Sequence, residues 1–203
     1  PDVTRPPFRY RGLVLDLDHT LFDPHSLPSS VYEDFARRLH RANEALGAVP
    51  PERLERSIAE LLDTSVDVVA RRHGWPEALE RACRRAAESA SFPDELTLYP
   101  DVAAVRALPH RTILVTAGLP GVQRGKVRAL GLEAWIEAVR VDDVSARPRR
   151  GKRAVMEEAL ADAGLAPAEV LVVGDLVEGE IAAGLALGAG TLHVARSGCP
   201  GCP

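Results

Sequence analysis

At 203 residues, with 46% hydrophobic residues and a net charge of −4, the chain can bury one good core plus a smaller appendage, and it lacks the overall basic footprint of a nucleic-acid binder. The apolar stretch after Arg5, Arg9 and Arg11 breaks at Asp16, too early for a signal-peptide core, and the longest uncharged run, Ile181 to Ala195, is glycine-rich and too short to span a bilayer. The expectation is a soluble, cytoplasmic protein of one or two domains with no membrane or nucleic-acid partner.

Leu13, Val14 and Leu15 read as a short strand that is apolar on both sides, the kind found in parallel sheets covered on both faces. The strand runs directly into Asp16, Asp18 and Thr20. Alternate residues of an extended chain share a side, so both carboxylates can face one pocket. At ~4 Å and an effective dielectric near ~20 they would repel by roughly 4 kcal/mol, which calls for a bound cation or a shared proton.

From about Ser29 to Ala90 the pattern is helical. Val31, Phe35, Leu39, Ala42 and Leu46 form one apolar stripe, which Gly47 stops. Pro51 and Glu52 suit the first turn of a second helix, Thr64 and Ser65 precede a third that ends at Gly74, and Pro76 opens a fourth. Arg71, Arg72, Arg84 and Arg85 on these helices are expected to point to solvent. No strand is expected between Phe22 and Leu96.

After Pro100 the pattern alternates. A helix to about Leu108 precedes strand Thr112 to Val115, helix Gln123 to Leu130, strand Val139 to Val141, helix Arg153 to Ala163, strand Val170 to Val173, helix Glu180 to Leu187 and strand Thr191 to Val194. Gly131, Gly164 and Gly188 close the three longer helices. Such alternation predicts an α/β fold with a doubly wound parallel sheet, in which ligands bind beyond the carboxyl ends of the strands. Those ends carry Asp16 and Asp18, then Thr116-Ala117-Gly118, then Gly174-Asp175 with Glu180 five residues on. The basic stretch between the third and fourth strands offers Arg147, Arg150 or Lys152 to the same pocket. Singly, Thr116 reads as a turn cap and Glu180 as a first-turn acid; their recurrence at successive strand ends points to a site.

The three cysteines make no disulfide framework. Cys199 and Cys202 form a C-x-x-C, half a zinc site, for which the six histidines supply no suitably spaced pair, and Cys83 lies within a helical pattern.

In order along the chain, these strand ends resemble the four motifs of the haloacid dehalogenase (HAD) superfamily, beginning with its DxDxT as Asp16-Leu17-Asp18-His19-Thr20. The resemblance implies a Rossmann-like core over residues 1–22 and 97–203, with a small helical cap domain over 23–96 inserted after the first strand. It further implies a magnesium-dependent phosphomonoesterase acting on a small soluble phosphate ester through an aspartyl phosphate. In that resemblance Asp16 is the nucleophile and Asp18 the general acid and base. Thr116, with Ala117 and Gly118, lines the phosphate site, and Lys152 neutralises charge. Asp16, Asp18 through its main-chain oxygen, Asp175 and Glu180 are the implied metal ligands, a hard oxygen set that suits Mg2+.

The sequence departs from the family pattern at Ala117, where an asparagine is common, at Leu176, where a small polar residue is frequent, and at Glu180, which replaces an aspartate. No Lys-Pro pair marks the third motif, so Arg147 and Arg150 compete with Lys152. His19 receives no role. A phosphomutase remains open, as does a catalytically weak relative that binds phosphorylated ligands or a protein. A dehalogenase of the same superfamily fits less well, because it needs neither Asp18 nor a metal.

Overall fold

The computed structural model describes residues 10–61, 64–94 and 96–196. Five strands, β1 (Gly12–Leu15), β2 (Arg111–Gly118), β3 (Ala138–Asp143), β4 (Val170–Gly174) and β5 (Gly190–His193), form one sheet of order β3-β2-β1-β4-β5 in which every pairing is parallel. The alternation of side chains along β1 assigns its two faces. Val14 packs with Ile113, Val115 and Val172 against Met156 and Leu160 of α7 (Lys152–Ala163) and Ala183 of α8 (Ala182–Leu187). Leu13 and Leu15 pack with Leu114 on the other side, against Val102 of α5 (Val102–Arg106) and Val127 of α6 (Pro120–Ala129). A strand covered on both faces has no need of polar alternation, and its uninterrupted apolar run follows from that.

Between β1 and β2 lie four helices, α1 (Ser29–Leu46), α2 (Pro51–Glu60), α3 (Val66–Arg72) and α4 (Glu77–Glu88), with no strand among the described residues there. Leu39, Leu54, Ile58, Val69, Leu79 and Cys83 build a core of their own, which also takes in Leu119 and Val144 from the segments just beyond β2 and β3. The helical block is therefore tied to the strand ends rather than hanging free of them.

The apolar stripe expected along α1 is cut short. Leu46 is 46% exposed, and the last turn instead buries Asn43. Its amide donates to the Val49 carbonyl at 2.8 Å and accepts from the Val49 N–H at 3.0 Å. A buried side chain that satisfies both backbone groups of the following turn is retained there despite its polarity. Arg84 also departs from expectation. Only 15% exposed, it pairs with Glu80 one turn earlier, whereas Arg71 and Arg72 extend into solvent.

Two helix starts move as well. α6 begins at Pro120, whose fixed φ suits a first helical position. The helix expected from Glu180 is a π-type turn over Val177–Ile181, broken at Gly179, followed by the short α8. Among the described residues, no helix is long and apolar enough to cross a membrane. Cys199 and Cys202 lie outside the described residues.

Burial inside the helical core pushes the Cys83 thiol up to about 12. A thiolate is the reactive species, so iodoacetamide at pH 8 is expected to leave Cys83 unlabelled in the native protein and to label it in urea. Peptide mapping by mass spectrometry reads this directly, and native labelling of Cys83 as fast as in urea would contradict it.

Candidate active site

In a parallel sheet all strands end at one edge, and here the register brings three site residues to the same place. Leu15 is level with Leu114 and Val173. Asp16 extends the strand by one residue, its N–H donating to the Val173 carbonyl at 3.0 Å. Thr116 and Asp175 emerge on the flanking strands, so Asp16 occupies the centre of the edge. Beyond it the chain closes a tight turn, in which the Leu21 and Phe22 N–H groups both donate to the Leu17 carbonyl and His19 takes a left-handed φ of 56°. Thr20 is buried in that turn and donates to Asp175 Oδ1 at 3.2 Å. The Asp175 carbonyl accepts from His193 Nε2 at 2.9 Å. The aspartate is thus fastened from both neighbouring elements.

Lys152 is the basic residue that reaches the centre. From the start of α7 its ammonium donates to Asp16 Oδ1 and to Glu180 Oε2, each at 2.6 Å. Arg147 turns back to the Val144 and Ala146 carbonyls, and Arg150 pairs with Glu158 on the surface. The loop that aims Lys152 is organised by Asp142, a residue that sequence reasoning passed over. It is fully buried, accepts from the Arg149 guanidinium at 2.7 and 2.9 Å, and accepts from the Gly151 N–H at 3.0 Å. Gly151 has φ 82°, a conformation that only glycine adopts without strain. An acidic residue at the end of an apolar strand was the available signal.

Glu180 enters the site because the helix it was expected to start is broken. The turn at Gly179 directs its carboxylate back over β4, where Oε1 accepts from the Leu176 N–H at 2.6 Å while Oε2 holds Lys152. Gly174 makes the space, since a Cβ there would overlap the Glu180 side chain.

Asp18 has its own pair of partners, Gln123 and Lys126, neither of which the sequence motifs single out. Lys126 Nζ donates to Asp18 Oδ1 at 2.7 Å, and Gln123 Nε2 donates to Asp18 Oδ2 at 3.0 Å. The same Gln123 nitrogen lies 2.6 Å from Thr116 Oγ1. Thr116 accepts that bond, leaving its own hydroxyl proton to donate to a bound oxygen. Residues three apart share a helix face, so these two buried polar residues on an otherwise inward-facing stretch of α6 were the sequence signal. Gly118 lets Gln123 fold back, since a Cβ at 118 would stand 2.8 Å from Gln123 Cγ.

The electrostatics of the two aspartates differ. For Asp16, burial raises the carboxyl and Lys152 opposes it, while Glu180 and Asp18 push it further up, leaving it well above the usual carboxylate range. For Asp18, burial also acts upward, but the charge and hydrogen bond of Lys126 and the Gln123 amide outweigh it and hold the group ionised. Lys152, although buried, is held in its charged form by Asp16 and Glu180. Oxygens of Asp16, Asp175 and Glu180 lie within 4.8 Å of one another, and Lys152 bridges Asp16 and Glu180. A hard divalent cation fits this all-oxygen donor set.

A cavity of about 910 Å³ opens from these strand ends towards the helical block. The fold and site define an α/β enzyme with an aspartate-lysine centre at the carboxyl edge of a parallel sheet. The chain belongs to the haloacid dehalogenase-like hydrolases, whose family model matches residues 10–188. No curated protein sequence matches it.

Among solved structures it is similar to YfnB of Bacillus subtilis, assigned to the HAD hydrolases and solved with magnesium, at 17% identity and TM-score 0.56, covering 97% of this chain and 91% of that one. It is similar to a predicted phosphoglycolate phosphatase of Haemophilus somnus, at 16% identity and TM-score 0.59, covering 93% and 86%. It is also similar to the L-2-haloacid dehalogenase of Xanthobacter autotrophicus, at 20% identity and TM-score 0.53, covering 92% and 78%. At these identities the likeness is one of fold.

Filling the gap beneath Glu180 tests the geometry. Gly174→Ala is expected to cost about 1–3 kcal/mol by overpacking, read from urea unfolding, and an unchanged midpoint would show that the carboxylate does not depend on that space.

Proposed function

We propose that this HAD-family hydrolase is a magnesium-dependent phosphomonoesterase acting on a small soluble phosphate ester. The observation that carries the reading is Asp18. A second carboxylate, given its own lysine and amide two residues beyond Asp16, is needed for proton transfer to an oxygen leaving group and is superfluous for displacing a halide.

Asp16, Asp175, Glu180 and the main-chain oxygen of Asp18 would hold the metal, with Glu180 also holding Lys152 beside it. Bound there, magnesium offsets the charge of the phosphate dianion, which otherwise repels an approaching carboxylate. Lys152 and the Thr116 hydroxyl supply donors to the phosphoryl oxygens. Asp16 attacks phosphorus, the bond to the ester oxygen breaks, and Asp18 in its acid form gives that oxygen a proton. Asp18, now a carboxylate, takes a proton from water, which hydrolyses the aspartyl phosphate and frees Asp16. Lys126 and Gln123 favour the ionised form of Asp18 that this second half needs. The proton for the first half is taken up before the ester bond breaks.

With p-nitrophenyl phosphate and magnesium, Asp16→Asn is expected to abolish turnover, and Asp18→Asn to reduce it by about 10²- to 10⁴-fold. Lys152→Ala should cost about 10²- to 10³-fold, whereas Arg147→Ala and Arg150→Ala stay near wild type. Chelation should remove activity and magnesium restore it. No turnover above the Asp16→Asn control, across several divalent ions and phosphate esters, would overturn the reading in favour of a phospholigand-binding protein. Halide release from 2-haloacids would favour a dehalogenase.

A further inference from the structure

We propose that the leaving group of the ester is apolar and uncharged, an aryl or alkyl alcohol bound against the helical block; this rests on the phosphomonoesterase reading and names its substrate class.

The cavity has two chemically distinct ends. At the strand edge it is lined by the charged groups of the site, where Lys152 serves Asp16 and Glu180, Lys126 serves Asp18, and Arg149 serves Asp142, while Arg153, also in the lining, is exposed to solvent. On the helical side the lining is apolar. Among the described residues between Asp23 and Leu96, no charged side chain lines the cavity, and the hydroxyl-bearing Tyr32, Thr64 and Ser65 are its only polar side chains. Val31, Phe35 and Phe92 face it from the block, and Leu119 and Val122 face it from the start of α6.

These side chains are anchored on one side and open to the cavity on the other. On the same helices Leu39 and Leu79 are wholly buried, and the wall residues Phe35, Leu119 and Val122 pack against the core they build. Val31, Phe35, Phe92 and Val122 remain only half-buried. Phe92 is seated deliberately close to α6, because a Cβ at Gly125 would stand 2.6 Å from its ring. Half-buried apolar surface beside a polar centre gains free energy when an apolar group covers it.

The same wall discriminates against other esters. A carboxylated alcohol such as glycolate would bring a second anion to a wall that offers no cation. A sugar would bring several hydroxyls to a wall with few partners, and each polar group desolvated without a partner weakens binding by about tenfold or more. The cavity of about 910 Å³ also exceeds what a phosphate alone requires.

Phosphonates bind without being hydrolysed, so they report on the cavity independently of turnover. Calorimetry with magnesium present, over ethyl-, butyl- and hexylphosphonate, is expected to show Kd falling about fourfold per added methylene, the value for burying a CH2. 3-Phosphonopropionate should bind at least about tenfold more weakly than butylphosphonate. Val31→Thr and Val122→Thr keep side-chain shape while adding a hydroxyl, and each should flatten the ladder without altering ethylphosphonate binding. A flat ladder, a carboxylated ligand that binds more tightly, a ladder that ignores both threonine variants, or no phosphonate binding at all overturns the inference. If phosphate esters are turned over in that case, the phosphatase reading survives alone. A steep ladder in a protein that hydrolyses no phosphate ester keeps the apolar subsite and overturns the phosphatase reading instead.

Discussion

Asp16, Asp18, Asp175 and Glu180 converge at one edge of the sheet because parallel strands all end there, and they can share that volume because two buried lysines are sent among them. Carboxylates a few ångströms apart repel by several kcal/mol at the dielectric of a partly buried site. Lys152 bridges Asp16 and Glu180, and Lys126 meets Asp18. The division is unequal. Asp18 is compensated by an ammonium and an amide, whereas the group around Asp16 keeps an excess of negative charge. That imbalance distinguishes the two aspartates physically: one is held ionised, and the other sits in a field that a cation would relieve.

Around this charge arrangement the backbone is cut to fit. Glycines at 174 and 118 leave room for Glu180 and Gln123 to fold back over the strand ends, and Gly151 adopts the positive-φ conformation that lets Asp142 grip the loop before α7. None of these residues carries charge to the centre. Each fixes the position of one that does, which is how a site keeps its geometry before a ligand arrives.

The helical block contributes at two levels. Its core incorporates Leu119 and Val144, so packing inside the block and placement of the block over the strand ends are one energetic event. Its inner surface also leaves a half-buried apolar wall opposite a strongly polar centre. The division of labour is thus spatial, with charge chemistry at the sheet edge and shape on the helices.

The sequence by itself determined the architecture. Two-sided apolar strands alternating with glycine-closed helices allow a parallel sheet and little else, and the position of Asp16, Thr116 and Asp175 after successive strands follows from that arrangement. Periodicity reports which faces are buried, so the helical block was legible as helices, although Asn43 and Leu46 exchanged places because hydrogen bonding to Val49 outweighed apolar pattern. Tertiary structure decided among the cations competing for Asp16. The resemblance put Lys152 there with Arg147 and Arg150 as competitors, and the path imposed by Asp142 and Gly151 sends Lys152 inward and the others to carbonyls or solvent. It also decided that Gln123 and Lys126 serve Asp18 from more than a hundred positions away. Pairing across such separations depends on where two elements pack, and a local pattern of residues holds no record of that distance.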